Sequence, residues 1–143
     1  MVSQEEFHRL NRLSNVVIGA AIEVHRELGP GLLESAYEEC LKMELQSQGV
    51  KVDTQVDLPL CYKGKKTEKV FRIDMLVEDS LIVELKSVEV LKPVNEIQLV
   101  TYLKLAHLRL GLLINFNVPV LRDGIKRKVN GFSEYTGIKP VRG

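Results

Sequence analysis

Residues 71–87, FRIDMLVEDSLIVELKS, hold two strand-like apolar runs joined by the turn-forming Glu78-Asp79-Ser80. The second run, Leu81-Ile82-Val83-Glu84-Leu85-Lys86, is rich enough in branched apolar residues to be buried on both faces, yet it carries two charges. Such charges are costly unless they are paired or put to use. Side chains alternate across a strand, so Glu84 and Lys86 share a face with Ile82 and Val88, while Leu81, Val83 and Leu85 pack the other. With the turn centred near Asp79, antiparallel pairing sets Asp74 opposite Glu84 and brings two carboxylates and a lysine to one spot.

Two close carboxylates repel unless one is protonated or a cation lies between them. Oxygen donors suit a hard ion, Mg²⁺ or Mn²⁺, which can activate a water and neutralise the charge that develops on a phosphate. An Asp…Glu-x-Lys set is therefore suited to phosphodiester cleavage. The plain alternative is a salt-bridged Glu84–Lys86 pair on a wet strand face with Asp74 as its cross-strand partner.

Outward from this stretch the periodicity changes twice. Upstream, VKVDTQVDLPLCYKG alternates Val50, Val52, Thr54, Val56 and Leu58 against Lys51, Asp53, Gln55 and Asp57 and turns at Gly64, which predicts a strand with one wet face and an antiparallel meander of three strands. Before it lie two helical patterns. One runs from Ser14 to Leu28, with Ser14 or Asn15 as N-cap and Gly29-Pro30 as stop. The other follows Gly31, with Leu33, Ala36, Tyr37, Cys40, Leu41 and Leu45 on its buried face and Gly49 at its end. Downstream, Pro93 opens a third helix through His107, the apolar LRLGLLINFN is a buried strand, and Asp123-Gly124 turns into a short edge strand. Gln98 and Tyr102, four apart, share a face of the third helix, and Glu34 and Tyr37 are three apart on the second.

Composition sets the outer bounds. The 143 residues suit one domain, with 45% hydrophobic and 27% charged residues, as in an ordinary globular protein. The N-terminus has no apolar signal-peptide core and no run reaches membrane-spanning length, so the expected location is cytoplasmic, without a membrane partner. Cys40 and Cys61 form no CxxC and read as structural residues. A formal net charge of +1 excludes coating of nucleic acid by bulk electrostatics. The basic segments Tyr62–Lys69 and Leu121–Lys128 could still meet phosphates if the fold brings them to one rim. His25 reads as a structural complement to its helix dipole, and Gly29-Pro30-Gly31 lacks the Lys and Ser/Thr of a P-loop.

The segment GLLESAY resembles the GxxExxY signature through Gly31, Glu34 and Tyr37. ID…VELKS…IQLVTYL resembles the D-ExK-QxxxY pattern of the PD-(D/E)xK nuclease superfamily, with Ile73-Asp74 in place of the proline-aspartate pair. The resemblance implies a restriction-endonuclease-like α/β core, a mixed β-sheet flanked by helices, over residues 14–130, with 1–13 as an extension and 131–143 as a tail. It implies a metal-dependent nuclease acting on nucleic acid, DNA being the expected substrate, with Mg²⁺ or Mn²⁺ as cofactor. Asp74, Glu84, Lys86 and Gln98 take the catalytic roles. Asp74 and Glu84 hold the metal with the Leu85 carbonyl, and Glu34 holds a water or a second ion. Lys86 positions the attacking water or stabilises the transition state, and Gln98, Tyr102 and Tyr37 support it. A homodimer with two sites would cut both strands of a duplex. The competing reading is a regulatory module on the same fold that binds nucleic acid or metal without turnover.

Overall fold

The structure, a computed structural model, describes residues 3–131. Helix α1 (Gln4–Leu28) begins at Gln4, not at Ser14, and is capped by Ser3, whose side chain accepts the N–H of Glu6. The buried positions Phe7, Leu10, Ser14, Val17, Ala21 and Val24 alternate steps of three and four, a single stripe that carries the helix through the point where an extension was expected to end. Ser14 lies on that stripe and is buried, so its capping chemistry goes unused. Helix α2 (Glu34–Ser47) buries Tyr37, Leu41 and Leu45; Leu33, expected on the buried face, is its N-cap residue and is exposed.

Strands β1 (Val52–Tyr62), β2 (Lys65–Val77) and β3 (Leu81–Lys86) form the expected antiparallel meander. Glu78 and Asp79 both adopt positive φ in the turn that joins β2 to β3, as a tight hairpin requires. Helix α3 (Pro93–Ala106) crosses over and returns the chain as β4 (Leu110–Asn115), parallel to β3. A 3₁₀ turn (Leu121–Gly124) then leads to β5 (Ile125–Val129), antiparallel to β4. The sheet order is β1-β2-β3-β4-β5, a mixed five-stranded sheet. Every residue of β4 is buried, and so is all of β3 up to Leu85, which agrees with their near-continuous apolar sequence.

Two cores sandwich this sheet. The larger joins α1 and α2 to Met75, Val77, Leu81, Val83, Leu85, Leu112 and Ile114. The smaller lies under α3 and takes Leu58, Ile73, Ile82 and Leu113. Gly111 lets α3 come close, since a Cβ there would stand 2.8 Å from Leu99 Cδ1.

The alternation in β1 and β2 hides a change of face. Val52, Met75 and Val77 point into the α1/α2 core, whereas Val56, Leu58, Phe71 and Ile73 point toward α3. The register is the same on both sides of the change, with Thr54 opposite Met75 and Val56 opposite Ile73, but the rung between them, Gln55 and Asp74, is not part of the ladder. Gln55 sits there with φ of 53°. One residue in the left-handed region turns the strand over, so the expected single wet face of β1 becomes two half-faces on opposite sides of the sheet.

Among the described residues no further strand lies beside the outer part of the β1–β2 hairpin, because β2 pairs with β3 only at Met75, Leu76 and Val77. The basic segment Tyr62–Lys69 occupies its tip, while Leu121–Lys128 lies at the β5 edge, so the two stand toward opposite edges of the sheet. The β5 segment is also engaged in structure: Lys128 pairs with Glu96 of α3 at 2.6 Å, and Arg127 donates to Asn11 of α1. Cys40 and Cys61 are free thiols. No helix among the described residues is long and apolar enough to cross a membrane. The expected tail lies, from residue 132 onward, outside the described residues.

Candidate active site

The regular pairing of β2 with β3 stops at Met75 and Val83, one rung short of Asp74 and Glu84. At that rung side chains replace the ladder. Asp74 N–H donates to Glu84 Oε2 at 2.8 Å, and Leu85 N–H donates to Asp74 Oδ2 at 2.9 Å. Each carboxylate thus uses one oxygen to lock the opposite strand, and the other, Asp74 Oδ1 or Glu84 Oε1, accepts no hydrogen bond from the described residues. These backbone donors fix both carboxyl groups without any flexible partner.

The electrostatic state follows from the burial. Glu84 is only 7% exposed, and its carboxyl is pushed up to about 8, first by desolvation and then by the Asp74 carboxylate; the Asp74 N–H and the Lys86 charge pull the other way. Tyr102 is raised as well, by its own burial and by the fields of Glu84 and Asp74, so its ring belongs to the surroundings of the site. It packs at 5.8 Å from Phe71. Lys86 is half-buried at the end of β3 and forms no ion pair with a described residue.

Helix α2 reaches the site through its first turn. Glu34, its first residue, lines a cleft with Ser35, Glu38, Gln55, Asp74 and Leu85. Tyr37 does not face that cleft. It is fully buried, stacks on Phe116 at 4.3 Å, donates its hydroxyl to Gly29 O at 2.6 Å and accepts Leu32 N–H at 3.1 Å. It clamps the Gly29–Leu32 turn, where Gly29 and Gly31 need positive φ, and so fixes where α2 begins and where Glu34 stands. The spacing of Glu34 and Tyr37 is therefore that of a cleft-lining residue and the anchor of its loop.

Gln98 is exposed on α3, and its side chain hydrogen-bonds to no described residue, Lys86 included. His25 Nε2 lies 2.8 Å from Val118 O. Asn115 belongs to no motif in the sequence, yet it shapes the site's border. It is buried at the end of β4, where its side chain accepts Val88 N–H at 3.0 Å and donates to Val88 O at 2.9 Å, fastening the chain as it leaves Lys86. A lone polar residue closing an otherwise apolar strand is its only signal. Gln55 and Glu38 carry no signal either, because each reads as a routine wet position.

The donor set fits a hard dication: two carboxylates with one oxygen uncommitted on each, next to the backbone of Leu85. Among the described residues no group of three or more His, Cys, Asp or Glu side chains is arranged to hold an ion, so the protein side chains would supply few of its ligands and water the rest.

The family description of the PD-(D/E)XK nuclease superfamily matches residues 11–128. The chain belongs to that superfamily. Its sheet, its flanking helices and the order helix, helix, three strands, helix, strand are those of a nuclease-like fold, and residues Asp74 to Lys86 fall inside the match. Searches of curated proteins and of solved structures find no match.

Proposed function

We propose that this member of the PD-(D/E)XK superfamily is an active nuclease of the GxxExxY type, which hydrolyses nucleic-acid phosphodiesters with Mg²⁺ or Mn²⁺ and acts on DNA in the cytoplasm. The observation that carries this reading is the reciprocal lock between Asp74 and Glu84, which costs two strands a rung of their ladder and leaves one carboxylate oxygen of each residue uncommitted. A purely structural ion pair would give Glu84 a cationic partner; here Glu84 meets another carboxylate and is pushed up to about 8.

Asp74, Glu84 and the Leu85 carbonyl would hold the ion, which supplies Lewis-acid stabilisation of charge on a phosphate and makes water a better nucleophile. Lys86, charged and without an ion-pair partner among the described residues, donates hydrogen bonds to a phosphate oxygen or to the attacking water. Glu34 orients water at the cleft's other wall, and Gln98, exposed on the face it shares with Tyr102, binds a phosphate or reaches Lys86 once substrate is present. Cutting both strands of a duplex would take a homodimer with two such sites.

The test is a cleavage assay on single- and double-stranded DNA and RNA with Mg²⁺ or Mn²⁺, run beside Asp74→Asn and Lys86→Ala. Metal-dependent cutting lost in both variants is the expected result. Metal binding without cutting of any substrate would replace it by the regulatory module.

A further inference from the structure

The rung that faces Asp74 carries a side chain to which the nuclease reading assigns no part. Gln55 occupies it in a backbone conformation that costs a non-glycine residue on the order of 1 kcal/mol. Its side chain lines the cleft of about 120 Å³ together with Glu34, Glu38, Asp74 and Leu85. Gln55 Nε2 donates to Glu38 Oε1 at 2.7 Å. A carboxylate can only accept, so the nitrogen end of the carboxamide must face Glu38, and the chemistry of the partner settles which end is which.

The carbonyl end, Oε1, is therefore turned away from Glu38, and it accepts no hydrogen bond from a described residue. Gln55 is exposed at a cleft that already holds the acidic Glu34 and Asp74, so its Oε1 is open to solvent there. It suits a donor brought in from outside. We propose that Gln55, oriented by Glu38, is a positioning residue that accepts a hydrogen bond from the water shell of the divalent ion held by Asp74 and Glu84. The inference rests on the nuclease reading of the site. It also accounts for the interrupted rung: the left-handed residue that turns β1 over is the one that delivers the amide to the cleft.

The experiment is a calorimetric Mn²⁺ titration of the full chain, with thermal unfolding in EDTA alongside. The variants are Asp74→Asn, Gln55→Ala, Gln55→Asn, Glu38→Ala, Glu38→Gln and the Gln55→Ala/Glu38→Ala pair. Loss of a partner in an outer shell typically weakens metal affinity about 10- to 100-fold, and about tenfold is expected for Gln55→Ala and for Glu38→Ala, with no further loss in the pair. Gln55→Asn tolerates the left-handed backbone but is too short to reach, so it too should bind Mn²⁺ more weakly while unfolding normally in EDTA. Glu38→Gln keeps an acceptor for the amide while losing the charge, and should retain most of the affinity. Unchanged affinity in Gln55→Ala, additive losses in the pair, or a Glu38→Gln variant as weak as Glu38→Ala would each overturn the assignment. If Asp74→Asn abolishes binding while the Gln55 variants bind normally, the inference alone fails; if the wild-type chain binds no Mn²⁺, the reading beneath it fails as well.

Discussion

As far as Pro59, the inner and outer parts of the β1–β2 hairpin share one register and one alternation of apolar and polar residues, yet they serve different halves of the molecule. The inner part, Val52–Thr54 against Met75–Val77, is paired to β3 and faces the α1/α2 core. The outer part, Val56–Tyr62 against Lys65–Ile73, faces α3 at its base and then runs out as an exposed, lysine-rich arm with a bulge between Pro59 and Cys61. Between them lies the single broken rung that holds Gln55 and Asp74. The candidate site thus lies at the seam where the sheet changes sides, with Asp74 and Gln55, the two residues of the missing rung, both lining the cleft.

The largest expected effect contrasts the two parts directly. Met75→Ala removes a fully buried side chain from the inner part and should cost about 2–5 kcal/mol by urea unfolding, whereas Phe71→Ala, in the half-buried outer part, should cost less than half as much. Equal costs would mean that the arm is as much core as its base.

Next comes the seam itself. The folded-state value of Glu84, about 8, lies above its ordinary 4.5, so the metal-free native state holds this proton more tightly than the unfolded chain does. The stability it contributes is fully present below pH 4.5 and is lost as pH rises through about 8. Urea unfolding in EDTA should therefore show a fall on the order of 4 kcal/mol between pH 5 and pH 9, and Glu84→Gln should flatten it. A wild-type curve already flat over that range would show that Glu84 ionises freely in the fold.

Smaller effects sharpen the contrast. Gln55→Gly relieves the positive φ and should raise stability in EDTA by about 0.5–1 kcal/mol, even as it removes the amide from the cleft. Lys66→Ala with Lys69→Ala, at the exposed tip, should change stability by less than about 0.5 kcal/mol. If nucleic acid lies along the arm, the same pair should lower the salt dependence of its binding, the log–log slope falling by roughly 0.9 for each phosphate no longer neutralised.

Much of this architecture was legible in the residues. Branched apolar runs marked β3 and β4 as central, Pro93 marked the start of α3, and the short turn at Asp79 set Asp74 against Glu84 in the register the structure adopts. Three things were not legible, each for a physical reason. Ser14 is a good cap in isolation, and only the stripe from Phe7 to Val24, completed by tertiary burial, overrides it. The face change at Gln55 leaves a period of two intact, because the same parity is apolar on both sides and nothing but the backbone angle differs. Tyr37 carried the right spacing for a site residue, but its hydroxyl is committed to the loop before α2, an interaction that spacing along one helix cannot register.

The lock between the strands has one more consequence. The amides of Asp74 and Leu85 are bound by the two carboxylates rather than by carbonyls of the ladder, so their exchange with solvent deuterium depends on the state of those carboxylates. A cation drawn between Asp74 and Glu84 competes for the same electron density and should alter the exchange of these two amides, while those of Met75 and Val83, one rung inside the regular pairing, keep their rates. The backbone thus carries its own gauge of the site, read without substrate or turnover.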